Sequence, residues 1–178
     1  SITNALGHTT SFVVDSAGRE LARTDALGNT RRYTYGQNDS LLTSTDALGN
    51  TTHFTLDARG NQVALEDALG QVTTYEYDSA GNLLTVTDPA GNQTSAQFDA
   101  FGRPIKRIDA LGNTTALSYD ANGNALVATT TVTTPTGAQV VSITQSYDAN
   151  GRIKSIIDPE GHQSQFEYDA LGRQVAMI

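Results

Sequence analysis

A short aspartate–glycine motif that recurs at a fixed interval of about 21 residues constrains this chain more than any other feature. Asp-Ala-Leu-Gly-Asn-Thr begins at Asp25, Asp46 and Asp109, and the variants Asp67-Ala-Leu-Gly-Gln and Asp88-Pro-Ala-Gly-Asn fill the places between, each one full interval after the last. Asn4-Ala-Leu-Gly-His continues the series backwards, and Asp158-Pro-Glu-Gly-His closes it after an interruption. A fixed period of this length marks a repeat architecture in which each unit is one supersecondary element.

A second motif runs in phase with the first: Asp15-Ser-Ala-Gly, Asp57-Ala-Arg-Gly, Asp78-Ser-Ala-Gly, Asp99-Ala-Phe-Gly, Asp120-Ala-Asn-Gly, Asp148-Ala-Asn-Gly and Asp169-Ala-Leu-Gly. Each unit therefore holds two turns. The one gap is Gly36-Gln-Asn-Asp, where the acid has moved to Asp39 and a different turn geometry is expected. From Asp120 to Asp148 the spacing is longer, with Thr134-Pro-Thr-Gly137 between, which predicts one extended hairpin. The reading is a single array over residues 1–178 of about eight repeats of about 21 residues, with the longer one at 120–148. Ser1 falls inside a repeat, so both ends are expected to cut through a longer array.

Aspartate at the first position and glycine at the fourth suit a type I turn, because the carboxylate caps backbone N–H groups two residues on and glycine tolerates positive φ. Pro89, Pro135 and Pro159 occupy the second position, where the turn wants the negative φ that the proline ring fixes. Pro104 follows Gly102 at the start of a strand, where proline is tolerated. Two four-residue turns per repeat leave strands of about six or seven residues. Those entering the second turn alternate, with Phe12 and Val14, Tyr33 and Tyr35, Phe54 and Leu56, Tyr75 and Tyr77, Leu117 and Tyr119, and Phe166 and Tyr168 each on one face. A second apolar set lies six residues after the aspartate, at Leu21, Val63, Leu84, Ile105, Leu126 and Val175, and Lys154 breaks it. Threonine-rich segments and the lack of a 3.6-residue apolar period argue against helix. The fold class is all-β: tandem antiparallel hairpins forming a curved continuous sheet.

The formal charge is −8, and the Lys and Arg residues are scattered apart from the pairs Arg31–Arg32 and Lys106–Arg107, so no basic stripe for nucleic acid is present. No apolar run approaches the roughly 20 residues of a membrane-spanning helix. There is no cysteine for a disulfide, thiolate or nucleophile.

Tyr-x-Tyr-Asp-x-x-Gly-Asn-Leu, at Tyr75 to Leu83, together with Asp-x-x-Gly-Asn-Thr, resembles the tyrosine–aspartate repeats of Rhs proteins, which also occur in bacterial wall-associated toxins, insecticidal toxin complexes and teneurins. The resemblance covers essentially the whole chain. It implies a segment of a hollow β-cocoon or barrel that encloses a C-terminal toxin polypeptide, and a secreted or cell-surface location. Its partners would be that toxin and neighbouring repeats of the same shell. Terminal strands with unpaired backbone groups, and a face that carries aromatics, predict self-association through an edge or that face. The self-cleaving segment of that family carries Asp-Pro-x-Gly-Leu; Asp88-Pro-Ala-Gly-Asn and Asp158-Pro-Glu-Gly-His lack the leucine and read as ordinary turns.

No catalytic, cofactor-binding or metal-ligating residue is assigned. The recurring aspartates are explained by turn capping, and the glycine-rich nine-residue calcium pattern is missing. His8, His53 and His162 show no metal-ligand spacing among themselves. Ser16, Ser40, Ser79 and Ser142 lack a Gly-x-Ser-x-Gly elbow, and Glu20, Glu66, Glu76, Glu160 and Glu167 form no cluster in sequence. The aromatic ladder reads as cross-strand packing, with a carbohydrate- or receptor-binding surface as the alternative.

Overall fold

A computed structural model describes residues 1–178. The chain is all-β, with seventeen strands and one short 3-10 turn. It forms two compact units, Ser1–Asn92 and Gln93–Ile178. In the first, β1 (Ile2–Thr3), β2 (Thr9–Val14), β3 (Glu20–Thr24), β4 (Thr30–Tyr35), β5 (Leu41–Thr45), β6 (Thr51–Leu56), β7 (Gln62–Glu66), β8 (Val72–Tyr77) and β9 (Leu83–Thr87) form a meander. Each strand pairs antiparallel with the next. The second unit repeats the pattern with β10 (Gln93–Phe98), β11 (Pro104–Ile108), β12 (Thr114–Tyr119), β13 (Ala125–Thr134), β14 (Gly137–Tyr147), β15 (Ile153–Ile157), β16 (Gln163–Tyr168) and β17 (Gln174–Met177).

The repeat period resolves into a six-residue strand, a five-residue turn, a five-residue strand and a second five-residue turn, as in residues 51–71. Strands are thus shorter than the turn count predicts, because each turn takes five residues. The Gly49 amide donates to the Asp46 carbonyl at 3.1 Å, and the Asp46 amide donates to the Asn50 carbonyl at 2.9 Å. This is a three-residue hairpin loop, a type I turn followed by one left-handed residue. The left-handed place is why glycine recurs: Gly49 has φ of 90°, a region that costs any residue with a Cβ. Gly36, the one glycine of the sixteen without positive φ, marks the anomalous turn. There Asn38 and Asp39 take φ of 56° and 59°, so the left-handed step is carried by an asparagine and an aspartate.

The apolar set that follows the second turn has a structural origin. Tyr77 pairs with Leu83 and Glu76 with Thr85, so Leu84 is an extra residue in a β-bulge. The same skip falls at Leu21, Val63, Ile105, Leu126, Lys154 and Val175. It also falls at Leu42, between Leu41 paired with Tyr35 and Thr43 paired with Thr34. A bulge bends the strand and sharpens its twist, so every hairpin of this type is kinked at one place.

Length alone permits a buried core, yet none forms: no side chain is buried. Each unit is a sheet one layer thick. One face carries cross-strand apolar pairs such as Phe54 with Leu65 and Tyr75 with Val86. The other carries rungs of threonine hydroxyls: Thr24 with Thr30 at 2.8 Å, Thr34 with Thr43 at 2.6 Å, and Thr45 with Thr51 at 2.9 Å.

The interruption between Asp120 and Asp148 is a long hairpin. β13 and β14 have ten and eleven residues, and Val132, Thr133 and Thr134 run past the last partner that β12 supplies. On β14, Val140, Val141 and Ile143 lie past Thr144, the last residue that β15 partners, and are exposed.

Gly49→Ala places a Cβ in open space but in a left-handed backbone. The expected loss is about 1–2 kcal/mol, read from the urea midpoint, and an unchanged midpoint contradicts the turn assignment.

Candidate functional site

The side chains that give the repeat its signature meet at the turns that follow a Tyr-Asp pair. In each such turn one carboxylate oxygen accepts two backbone N–H groups. For Asp78 these come from Ala80 and Asn82, both at 2.9 Å. The second oxygen accepts the Asn82 side-chain amide at 2.8 Å. Asn82, Asn61 and Asn124 share this role, and Arg19, Arg103, Arg152 and Arg173 take it elsewhere by donating Nε to the turn aspartate at 2.7 Å.

The tyrosine before the turn joins neighbouring strands where no turn links them. Tyr35 donates its hydroxyl to the Glu20 carbonyl at 3.0 Å, Tyr77 to that of Gln62 at 3.0 Å, Tyr119 to that of Pro104 at 2.7 Å, and Tyr168 to that of Ile153 at 2.9 Å. Tyr147 spans the long hairpin to the Ala125 carbonyl at 2.9 Å. Val14, Leu56 and Phe98 occupy the same place without a hydroxyl.

Arginine adds a second stitch that the sequence reading missed. Arg19 stacks on Tyr35 at 5.2 Å, Arg103 on Tyr119 at 4.5 Å and Arg152 on Tyr168 at 4.6 Å. Arg19 also donates to the Gly36 carbonyl at 3.4 Å and pairs with Asp39 at 3.2 Å. The displaced acid of the anomalous turn therefore has a partner. The signal was present as an arginine at one constant interval ahead of each of these tyrosines.

All of this hydrogen bonding favours the ionised aspartate. The Asn side-chain amide, and then the backbone amides, hold the Asp25, Asp78 and Asp88 carboxyls below the ordinary carboxylate range. For Asp15 the Arg19 guanidinium is the main cause. A carboxylate so engaged is poorly suited to proton transfer.

One grouping combines acids and a histidine that show no pattern when each residue type is read along the sequence by itself. Asp158, Glu160 and His162 each bring a ligand atom within 4.8 Å of the others on an exposed turn. Asp158 Oδ1 already accepts the Glu160 and His162 amides at 3.0 and 2.8 Å, and its Oδ2 faces His162 Nδ1 at 3.0 Å. His162 thus does what asparagine does in the sister turns. His8 follows Asn4 in the equivalent turn, and His53 lies in mid-strand on β6.

Two shallow depressions lie on the first unit. One, about 440 Å³, is lined by Asp57, Arg59, Val63, Tyr75, Glu76, Tyr77, Asp78 and Ser79. The other, about 200 Å³, is lined by Arg23, Asp25, Asn29, Thr30, Arg31, Tyr33 and Ala47. Arg23 is held there by Glu20 at 2.9 Å and over the Phe12 ring at 5.1 Å.

Two outcomes test these contacts. Tyr119→Phe keeps the ring under Arg103 and removes only the hydroxyl donor, so stability falls by about 1 kcal/mol in urea unfolding, whereas Tyr119→Leu loses the ring as well and costs more. Lowering pH gives the second. The unfolded aspartate protonates near pH 3.9 and the folded groups only below that, so their stabilisation is complete above the unfolded value and is lost as pH falls through the folded values. The urea midpoint should hold from pH 7 to about 5 and drop steeply below about 4; a flat profile to pH 2 contradicts the capping account.

Comparison with known proteins agrees with this construction. The RHS Repeat family profile matches residues 57–93, 98–139 and 147–178. No curated protein sequence matches. Among solved structures, the fold resembles that in the crystal structure of TcdB2-TccC3-TEV, with a TM-score of 0.58 and 17% identity over 96% of this chain and 12% of that one. It also resembles that of the Photorhabdus luminescens Tc holotoxin pore with a TccC3 substitution, with a TM-score of 0.50 and 13% identity over 96% of this chain and 13% of that one. This chain spans about an eighth of either. With its paired turns, bulges and tyrosine stitches, and a profile match over more than half its length, the chain belongs to the RHS repeat family.

Proposed function

We propose that this chain is a segment of the wall of an exported, toxin-enclosing shell, and that its role is containment without catalysis. The observation that carries the reading is a sheet one layer thick with no buried side chain and with its turn carboxylates committed to capping. Such a sheet has no interior of its own in which to hold a substrate, and both faces are available to other polypeptide. One face offers aromatic and aliphatic pairs, suited to covering apolar chain; the hydroxyl-rich face suits water. The partners are then the enclosed toxin polypeptide and neighbouring repeats of the same shell, and one of the similar structures is a Tc holotoxin pore.

The depression over Tyr75 and Tyr77 favours a second reading, a surface for saccharides. Tyr77 already spends its hydroxyl hydrogen on Gln62, which leaves ring stacking as its contribution.

Deleting residues 46–87, two whole repeats, from the full-length parent protein tests the first reading. Removal in units of the period keeps the turn phase while breaching the wall. The C-terminal polypeptide should change from resistant to rapidly cleaved under limited proteolysis. Equal resistance, or saccharide binding by the intact chain that Tyr75→Ala abolishes, would replace containment with the binding reading.

A further inference from the structure

The outer part of the long hairpin has two edges that no neighbouring strand covers. β13 and β14 pair in unbroken register from Val127 with Thr144 to Thr134 with Gly137. β12 supplies its last partner to Thr131, and β15 supplies its last to Thr144. Beyond those residues the two edges differ. Beside β13, the turn that ends at Asn113 closes the edge, because Asn113 Oδ1 accepts the Thr133 amide at 3.2 Å. The residue at the same place of the turn beside β14 is His162, whose Nδ1 faces Asp158 Oδ2 at 3.0 Å and whose side chain is 80% exposed. It is engaged within its own turn, and the β14 edge stays open.

The Asn113 bond also fixes which backbone groups that edge offers. In an antiparallel ladder, opposed residues alternate between pairs that exchange both hydrogen bonds and pairs that exchange none. Thr133 points its amide away from β14, so Thr133 with Ala138 is a pair of the second kind, as are Thr131 with Val140 and Thr129 with Ser142. Ala138, Val140 and Ser142 therefore turn N–H and C=O outward in a row. Natural sheets shield such a row with lysine, proline, a bulge or a covering element. Here Pro135 stands in the turn, the extension has no register shift, and no Asp, Glu, Lys, Arg or His occurs from Ala125 to Tyr147. Val140 is 64% exposed, with Val141 and Ile143 exposed beside it.

We infer that the open edge of β14 docks one extended, uncharged segment of another polypeptide, rich in β-branched or aliphatic residues, which joins the sheet as an added strand. The outward backbone row supplies the hydrogen bonds. Val141 and Ile143 on one face, and Val140 and Ser142 on the other, receive its alternate side chains. The geometry separates this occupant from a second copy. Ile157 already holds Thr144, so whatever lies on the edge must end or bend away there. A second copy that laid its own β14 antiparallel along the full edge would drive its Pro135–Thr136 turn into Ile157, whereas a lone segment bends clear. The inference goes beyond the containment reading and stands without it, since the edge offers the same groups to any segment of this chemistry.

Hydrogen exchange of the chain, alone and with a synthetic peptide of the sequence Val127–Thr133, tests it. That peptide copies the strand that β14 accepts on its other side. Alone, the Ala138, Val140 and Ser142 amides should exchange rapidly and those of Gln139, Val141 and Ile143 slowly; the peptide should slow the first three by about tenfold or more. Val140→Lys should weaken binding of the labelled peptide, read by fluorescence anisotropy, by about tenfold. Val140→Pro should do the same with an unchanged circular dichroism spectrum, because the amide it removes faces outward. Outward amides that are slow in the free chain at every concentration, or that ignore the peptide, overturn the proposal, as does peptide binding that survives both substitutions. Slow exchange that appears only as protein concentration rises overturns the lone segment in favour of a second copy.

Discussion

A sheet without an interior has to find in hydrogen bonds what other domains find in buried side chains. Here the aspartate that opens most of the turns is the interaction on which the rest depends. One carboxylate oxygen takes two amides, the other in most of these turns takes an asparagine, arginine or histidine side chain, and glycine accepts the left-handed step that makes this closure geometrically available. With turn length held at five residues, strand length follows, and with strand length the side of the sheet on which each residue falls. A slip of one residue would send Phe54 and Leu65 to the threonine face, and the turns prevent it.

The tyrosine and the arginine act one level above. Turns join strands at only one end of each pair, so the opposite end would fray; a hydroxyl donated across the strand pair closes it. The guanidinium then ties the aspartate of one turn to the ring before the next, as Arg103 does between Asp99 and Tyr119. Stability of this kind passes from neighbour to neighbour, which is the usual economy of repeat proteins.

Much of this was legible from residues. The turn register, the all-β class, the anomalous turn at Gly36 and the long hairpin all follow from where aspartate and glycine stand. Less was legible where two segments must meet. The bulge was visible only as an apolar position six residues after the aspartate, and Leu42 escaped that set because its turn lacks the aspartate from which to count. The arginine–tyrosine stacks join residues far apart in sequence, a relation that has meaning only once adjacent hairpins are side by side. The Asp158, Glu160 and His162 grouping was hidden because neither the acids nor the histidines form a pattern by themselves. The absence of a core could not be read at all, since alternation along a strand looks the same whether or not a second layer covers it.

The long hairpin has a consequence for addressing. Identical units make an array degenerate: sliding one strip past another by a whole repeat would restore nearly the same contacts. β13 and β14 overrun the turns beside them, and Thr133 is tied at 3.2 Å to Asn113 in the neighbouring turn. A projection at one place turns a ruler with equal marks into one with a zero, so that any surface seated along that rim is located to a single repeat.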